Sequence, residues 1–262
     1  MRQPPIERSN NQAGKKMAAI TKNLLGVLAC AAGGLAASAY GQLPVMAAEP
    51  GALTVHVDRI KADGGHIPPR YAFCVAAKEG HSKSGANRNP TIRWSKGPAA
   101  TMSYAIIVHD PDVPSKFDDA NKEGKTIAAD LPRIDFVHMV LVDIPATFTE
   151  IKEGQDSDKV TPKGKPPGKT DHGVRGVNDY GKFMSGDMAG SYGGYDGPCP
   201  PWNDSIWHHY HFDVYALDVA SLNLSGNITA DQATAAMKGH VVATGSFIGT
   251  FSQNPDLFRK RK

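Results

Sequence analysis

The sequence predicts an all-β fold of the sandwich or barrel kind, on two observations. Its 27 glycines and 19 prolines fall between short apolar runs, as turn residues do between strands, and none of the tracts they occupy is a low-complexity linker. Several runs also alternate apolar and polar residues with a period of two, the pattern of half-buried strands. With 262 residues, 40% of them hydrophobic and 21% charged, the chain can bury a substantial core, and one domain is the better count.

The first 39 residues read as an export signal. Lys15 and Lys16 precede the charge-free apolar run Leu24 to Ala37, and Ala37-Ser38-Ala39 fits the small-residue cleavage pattern. That run falls below the roughly 18 apolar residues a spanning helix needs, so cleavage is favoured over anchoring. Cys30, after Val27-Leu28-Ala29, offers lipoprotein anchoring as the alternative, and Leu28 fits it poorly. The expected location is periplasmic or secreted. Residues 40–52 are then a flexible mature N-terminus, 53–254 the domain and 255–262 a basic tail.

Charge excludes one class of partner. Taking the leader's five bases (Arg2, Arg8, Lys15, Lys16, Lys22) and one acid (Glu7) from the chain's 29 and 26 leaves 24 against 25. A nucleic-acid binder needs a basic face across the fold, and the remaining basic cluster is only Arg259 to Lys262. That tail reads as a solvated end, with peripheral contact to anionic lipid as the alternative. Beyond the leader only Cys74 and Cys199 remain. An oxidising compartment would let them pair, but two separate buried residues are the favoured reading.

Taken in order, Leu53 to Ile60 alternates and predicts an opening strand, followed by a loop at Gly64, Gly65, Pro68 and Pro69. Arg70 to Ala76 predicts a second strand, Gly80 to Pro90 a long polar turn and Thr91 to Trp94 a short strand. Met102 to Val108 is a stronger strand that ends where the acids begin. Asp110 and Asp112 flank Pro111, and Pro114 stops continuation, which predicts both carboxylates on a stiffened loop at a sheet edge. Ser115 to Asp135 is a charged excursion with a short helix expected around Asp118 to Ala129. Phe136 to Ile144 is apolar almost throughout apart from His138 and Asp143, as in a strand covered on both faces. Taken alone, His138 reads as a core imidazole bonded to a backbone carbonyl.

Thr147 to Gly194 is loop-rich. Gly164 to Thr170, GKPPGKT, is one residue short of a phosphate-binding loop, and its two prolines break the backbone cradle such a loop needs. Gly186 to Gly197 is dense in glycine; its amides could turn toward an anion, but a surface loop is the commoner cause. Ile206 to Leu217 then alternates, with His208, Tyr210, Phe212 and Val214 on one face and His209, His211, Asp213 and Tyr215 on the other. His209 and His211 could hold a transition metal, but without a closed ligand spacing an exposed polar face is favoured. Thr229 starts a helix with Gln232 at the capping-box position, and Gly239 ends it. Val241 to Phe251 is a final strand, with Pro255 closing the regular structure.

The chemistry gathers in Tyr195 to Phe212, YDGPCPPWNDSIWHHYHF, where a turn of Gly197, Pro198, Pro200 and Pro201 runs into the histidine strand. HDPDVP at His109 to Pro114 and FVHMVLVDIP at Phe136 to Pro145 supply partners in kind. Together these stretches read as one pocket for a small anion, by preference a phosphate-bearing headgroup.

DPDVP at Asp110, His138 in a strand ending Ile144-Pro145, GVNDYG at Gly176, GPCPP at Gly197, HHYHFDVYALD at His208 and AMKGHVVATGSFIGTF at Ala236 occur in that order. The chain thus resembles the phosphatidylethanolamine-binding protein family, in its bacterial Raf-kinase-inhibitor-like branch, from about Leu53 to Phe251. The resemblance implies an antiparallel Greek-key β-sandwich with a few short peripheral helices and an anion pocket at one end. Carried over by position, the ligand-binding residues are Asp110, Asp112, His138, Gly197, Pro198, His208 and Tyr210. Two departures stand out: Met139 occupies the place where the family commonly has tryptophan after the pocket histidine, with Phe136 or Trp202 as substitutes, and the excursion Ser115 to Asp135 is longer than the bacterial pattern.

An aspartate beside an imidazole favours its protonated form, which donates a charge-assisted hydrogen bond to phosphate. His138 and His208, with Tyr210 and turn amides, are the expected donors. The leading functional class is a non-enzymatic binding protein for phosphate or phospholipid headgroups, with no cofactor and no metal expected. A kinase or protease inhibitor using the same rim, its protein target unknown, is the second class. A hydrolase using Asp110, His138 and His208 is the third.

Overall fold

The computed structural model describes residues 50–61 and 63–259. Residues 1–39, read above as an export signal and including Cys30, residues 40–49 and the last three residues of the tail lie outside the described residues.

The described chain is mostly β with a few short helices. Its first six strands are short: β1 (Gly51–Ala52), β2 (Val55–Val57), β3 (Gly65–His66), β4 (Cys74–Ala76), β5 (Ser82–Ser84) and β6 (Ile92–Trp94). Two long strands follow, β7 (Ser103–Pro114) and β8 (Arg133–Pro145), then β9 (Glu150–Ile151), β10 (Gly168–Lys169), β11 (Val174–Arg175) and the one-turn helix α1 (Tyr180–Phe183). The chain continues through β12 (His208–Leu217), α2 (Ala230–Met237), β13 (Val241–Phe251) and α3 (Pro255–Arg259).

The large sheet runs β1-β13-β12-β7-β8-β11-β10, with β3 also on β13. It is antiparallel except where β1 and β3 join β13. β12 returns past β8 to lie beside β7, so the centre of the sheet is assembled from distant parts of the chain. Alternation then sorts the faces. Tyr104, Ile106, Val108, Phe212 and Val214 point inward against Val55, Val57, Ile92, Trp94 and Ile151 of a second, three-stranded sheet, β2-β6-β9. On the other face Ala105, Ile107, Val140 and Val142 pack beneath Ala233 and Met237 of α2. That helix starts as its sequence demands, with Thr229 accepting from Gln232 N and the Gln232 side chain reaching back, a complete capping box.

Four local expectations are corrected. A 3₁₀ turn over Pro69–Tyr71 replaces the front of the strand read from Arg70, because Pro69 sits in the first turn. No helix forms in the excursion; the buried Asn203 side chain instead gathers the carbonyls of Asp119, Lys122 and Lys125 and accepts from Asn121 N. Pro255 opens a last helical turn where regular structure was expected to close, since its fixed φ suits a first helical position. Cys74 and Cys199 form a disulfide, with 4.7 Å between their Cα atoms across 125 residues of sequence, overturning the reading of two separate buried thiols. Cys74 N donates to Pro198 O at 3.1 Å, which brings the two segments together.

Candidate functional site

Two bulges build the site. β7 is a central strand between β12 and β8, so the acids are not on an edge loop. Its ladder with β12 reaches only to His109 opposite His211, while that with β8 runs on to Pro114 opposite Arg133. Pro111 therefore lies past the β12 ladder, where its missing N–H leaves no gap. The register with β8 slips between Asp110 and Val113, turning Asp110 inward, 1% exposed, and Asp112 outward. On β8, Val137 and Met139 face consecutive β7 residues, leaving His138 as the extra residue of a second bulge. Such bulges re-aim side chains, and here both serve one cavity.

That cavity has a volume of about 250 Å³. Asp110, His138, His208 and Tyr210 form its polar floor, and Val113, Phe117, Phe136, Phe183 and Met184 its apolar wall, with Cys199, Pro200 and Pro201 along one side. Tyr180 and Asn121 complete it. Phe117 and Phe183 meet at the mouth with ring centroids 5.4 Å apart, 42% and 48% exposed.

His208 is a buried cation held between two acids. Its Nδ1 lies 2.7 Å from Asp110 Oδ2 and its Nε2 lies 3.2 Å from Asp204 Oδ2. Burial opposes the charge, but the Asp110 charge and hydrogen bond, with those of Asp204, outweigh it and lift the imidazole to about 9. Asp204, penalised by burial, is in turn held below the usual carboxylate range by His208 and by Arg133, whose Nη1 stands 2.6 Å away. Two acids and two bases balance, so the floor does not repel an anion.

His138 behaves in the opposite way. Its Nδ1 donates to the Asp196 carbonyl at 2.7 Å, the backbone bond expected of a core imidazole, and its Nε2 is the nitrogen left for a ligand. Burial pushes its pKa down against the Asp110 charge, so the ring is neutral near pH 7. Tyr210 stacks edge-on against it at 5.1 Å. Burial, the Asp110 charge and the approach of the hydroxyl to the Asp110 carboxylate hold the phenol well above its usual pKa, and the buried hydroxyl makes no well-formed hydrogen bond among the described residues. An unpaired buried hydroxyl is costly, which makes it a candidate ligand donor.

A buried network fixes the wall behind His138. Asp196 takes Lys165 Nζ at 2.8 Å, Asn87 Nδ2 at 2.7 Å and Asn178 Nδ2 at 2.9 Å. Asn87 also accepts Gly197 N at 2.8 Å. Lys165, the first of the two lysines in GKPPGKT, thus serves as an internal anchor.

Of the seven residues named from sequence, the structure brings Asp110, His138, His208 and Tyr210 to the cavity. Asp112 is not there: its carboxylate takes His209 N and Nδ1 on the outer face at 2.8 and 2.7 Å. Gly197 and Pro198 stand behind the wall, their backbone groups already engaged by Asn87, Tyr180 and Cys74. Gly197 has a packing reason instead, since a Cβ there would stand 1.9 Å from Tyr71 O. His208 is no free donor either, because both its nitrogens meet carboxylates. Phe136 stands in the wall, whereas Trp202 stacks on His81 and Met139 belongs to the core. Sequence reasoning missed Asp204, Phe117, Tyr180, Phe183 and Met184. Tyr180 lies within the quoted GVNDYG, a signal that was available; Phe117, in a stretch without periodicity, gave none.

Residues 58–252 match the family model described as phosphatidylethanolamine-binding protein. A UPF0098 protein of Pyrococcus horikoshii, PH1269, is 32% identical over 201 residues, 77% of this chain and 78% of its own length. The UPF0098 protein YbcL of Escherichia coli is 31% identical over 150 residues, 56% of this chain and 62% of its own. The crystal structure of E. coli YbcL superposes with a TM-score of 0.54 at 24% identity, covering 76% of this chain and 98% of that one. A putative homologue of the same family from Chlamydia trachomatis, CT736, gives 0.52 at 24%, covering 77% and 97%. At that identity these two structures speak to fold alone.

Proposed function

The chain belongs to the phosphatidylethanolamine-binding protein family, in the branch of the bacterial YbcL and UPF0098 proteins, and from that premise we propose an exported, non-enzymatic binding protein for a phosphorylated amphiphile of phospholipid type. One observation carries the reading: a floor with an unpaired phenol and one open imidazole nitrogen lies beneath a wall containing Phe136 and a mouth of Phe117 and Phe183. Phosphate oxygens accept from Tyr210 Oη–H and from His138 Nε2–H, the imidazole taking up a proton as the anion arrives. The aromatic mouth takes the apolar part, which favours a headgroup carrying a chain over free phosphate. Asp110, Asp204, His208 and Arg133 hold the floor in shape.

Binding rather than catalysis is supported by His208, whose ring nitrogens are both engaged by carboxylates, and by a lining in which, among the described residues, no serine, threonine or free cysteine stands beside the open Nε2 of His138 to serve as nucleophile. Export is supported by the Cys74–Cys199 disulfide, since such bonds persist in oxidising compartments. A second reading has the exposed pair Phe117 and Phe183 docking a protein target or a bilayer surface. Native mass spectrometry of protein purified from its own compartment tests the proposal. A retained phosphorus-containing lipid supports it; a retained peptide favours the second reading instead.

A further inference from the structure

We propose that His109, His211 and Asp213 form a site for a divalent first-row transition metal such as Zn²⁺ on the outer face of the large sheet. His211 and Asp213 alternate with the pocket residues along β12 and so point away from the cavity. His109 is the cross-strand partner of His211, and their ring centroids are 5.0 Å apart. One ligand atom from each of the three residues lies within 4.8 Å of the others, and all three side chains are partly exposed. A tetrahedral ion with bonds of about 2.1 Å holds its ligands roughly 3.4 Å apart, a closure that partly exposed side chains reach by small rotations.

The surroundings suit the ion beyond the three ligands. Asp135 Oδ1 lies 2.6 Å from His109 Nδ1 and Asp213 Oδ2 lies 3.2 Å from its Nε2, so without metal the ring is a cation paired to both acids, and an ion entering between Nε2 and Asp213 displaces the Nε2 proton to solvent. A carboxylate behind a histidine is the usual outer support of a metal ligand. His209 lies outside the set because its ring nitrogens do not converge with the other three ligand atoms. Two imidazoles and one carboxylate select Zn²⁺ and its neighbours over Mg²⁺ or Ca²⁺.

Titration calorimetry of the untagged full chain with Zn²⁺ tests the site, with circular dichroism to check folding of each variant. One ion per chain is expected, with uptake lost in His211→Ala and Asp213→Asn, weakened roughly tenfold to a hundredfold in Asp135→Asn, and unchanged in His209→Ala. Should a ligand variant fail to fold, His211→Gln reads the same loss. The proposal is overturned by the absence of saturable uptake, by uptake that survives both ligand substitutions, or by loss in His209→Ala.

Discussion

His208 Nδ1 stands 2.7 Å from Asp110 Oδ2, joining two buried groups from β12 and β7 just beyond the end of the ladder between those strands. The pair does the work that strand hydrogen bonds do elsewhere in the sheet, and with Asp204 it turns a potential acidic repulsion into a neutral floor.

Replacing His208 exposes that role. His208→Gln leaves Asp110 and Asp204 buried without a cation between them, and removal of one member of such a group costs about 3–5 kcal/mol. Urea unfolding at pH 7 should report a loss of that order. A loss comparable with an ordinary surface substitution contradicts the assignment.

The same ion group makes stability pH-dependent. The folded pKa of His208, about 9, lies above the ordinary value of about 6.5. Its contribution is therefore complete below pH ~6.5 and is lost as pH rises through the folded pKa near 9, a drop on the order of 3 kcal/mol. Denaturant midpoints should fall across this window, and the fall should flatten in His208→Gln.

Reduction of the Cys74–Cys199 bond releases a loop of 125 residues' separation, for which the chain-entropy model gives about 5 kcal/mol as an upper figure. Unfolding with and without dithiothreitol should show a lower midpoint in the reduced protein. Cys199 also borders the cavity, so ligand affinity should fall together with stability.

Ligand binding should consume protons. His138 is neutral in the free protein because burial lowers its pKa, and an anion beside Nε2 raises it again. Calorimetry of phosphoethanolamine at pH 7 in two buffers of different ionisation enthalpy should give different apparent heats, with affinity falling as pH rises. Identical heats in both buffers contradict a role for the imidazolium.

Much of this molecule was legible before folding. The alternation of His208 to Val214, the capping box at Thr229 and the limits of Val241 to Phe251 each rest on local physics, and each appears as read. The site was legible only in part, because its decisive features are not local. A bulge that separates Asp110 from Asp112, two residues apart, depends on pairing with β8, and Asp204 matters only because it is folded back onto His208. The disulfide was passed over for the same reason, since its partners meet through the Cys74 N to Pro198 O bond. Phe117 became a wall residue because Asn203 gathers the excursion that carries it.

The claim that Tyr210 and His138 receive a phosphorylated headgroup is tested most directly by titrating a short-chain phosphatidylethanolamine, phosphoethanolamine and inorganic phosphate into the wild type and into Tyr210→Phe. The short-chain lipid should bind tightest and phosphate weakest. Tyr210→Phe should keep or slightly raise stability, since it removes an unpaired buried hydroxyl, while weakening the lipid by about tenfold for one lost hydrogen bond. Equal affinities for wild type and Tyr210→Phe, or no binding of any of the three ligands, would contradict it.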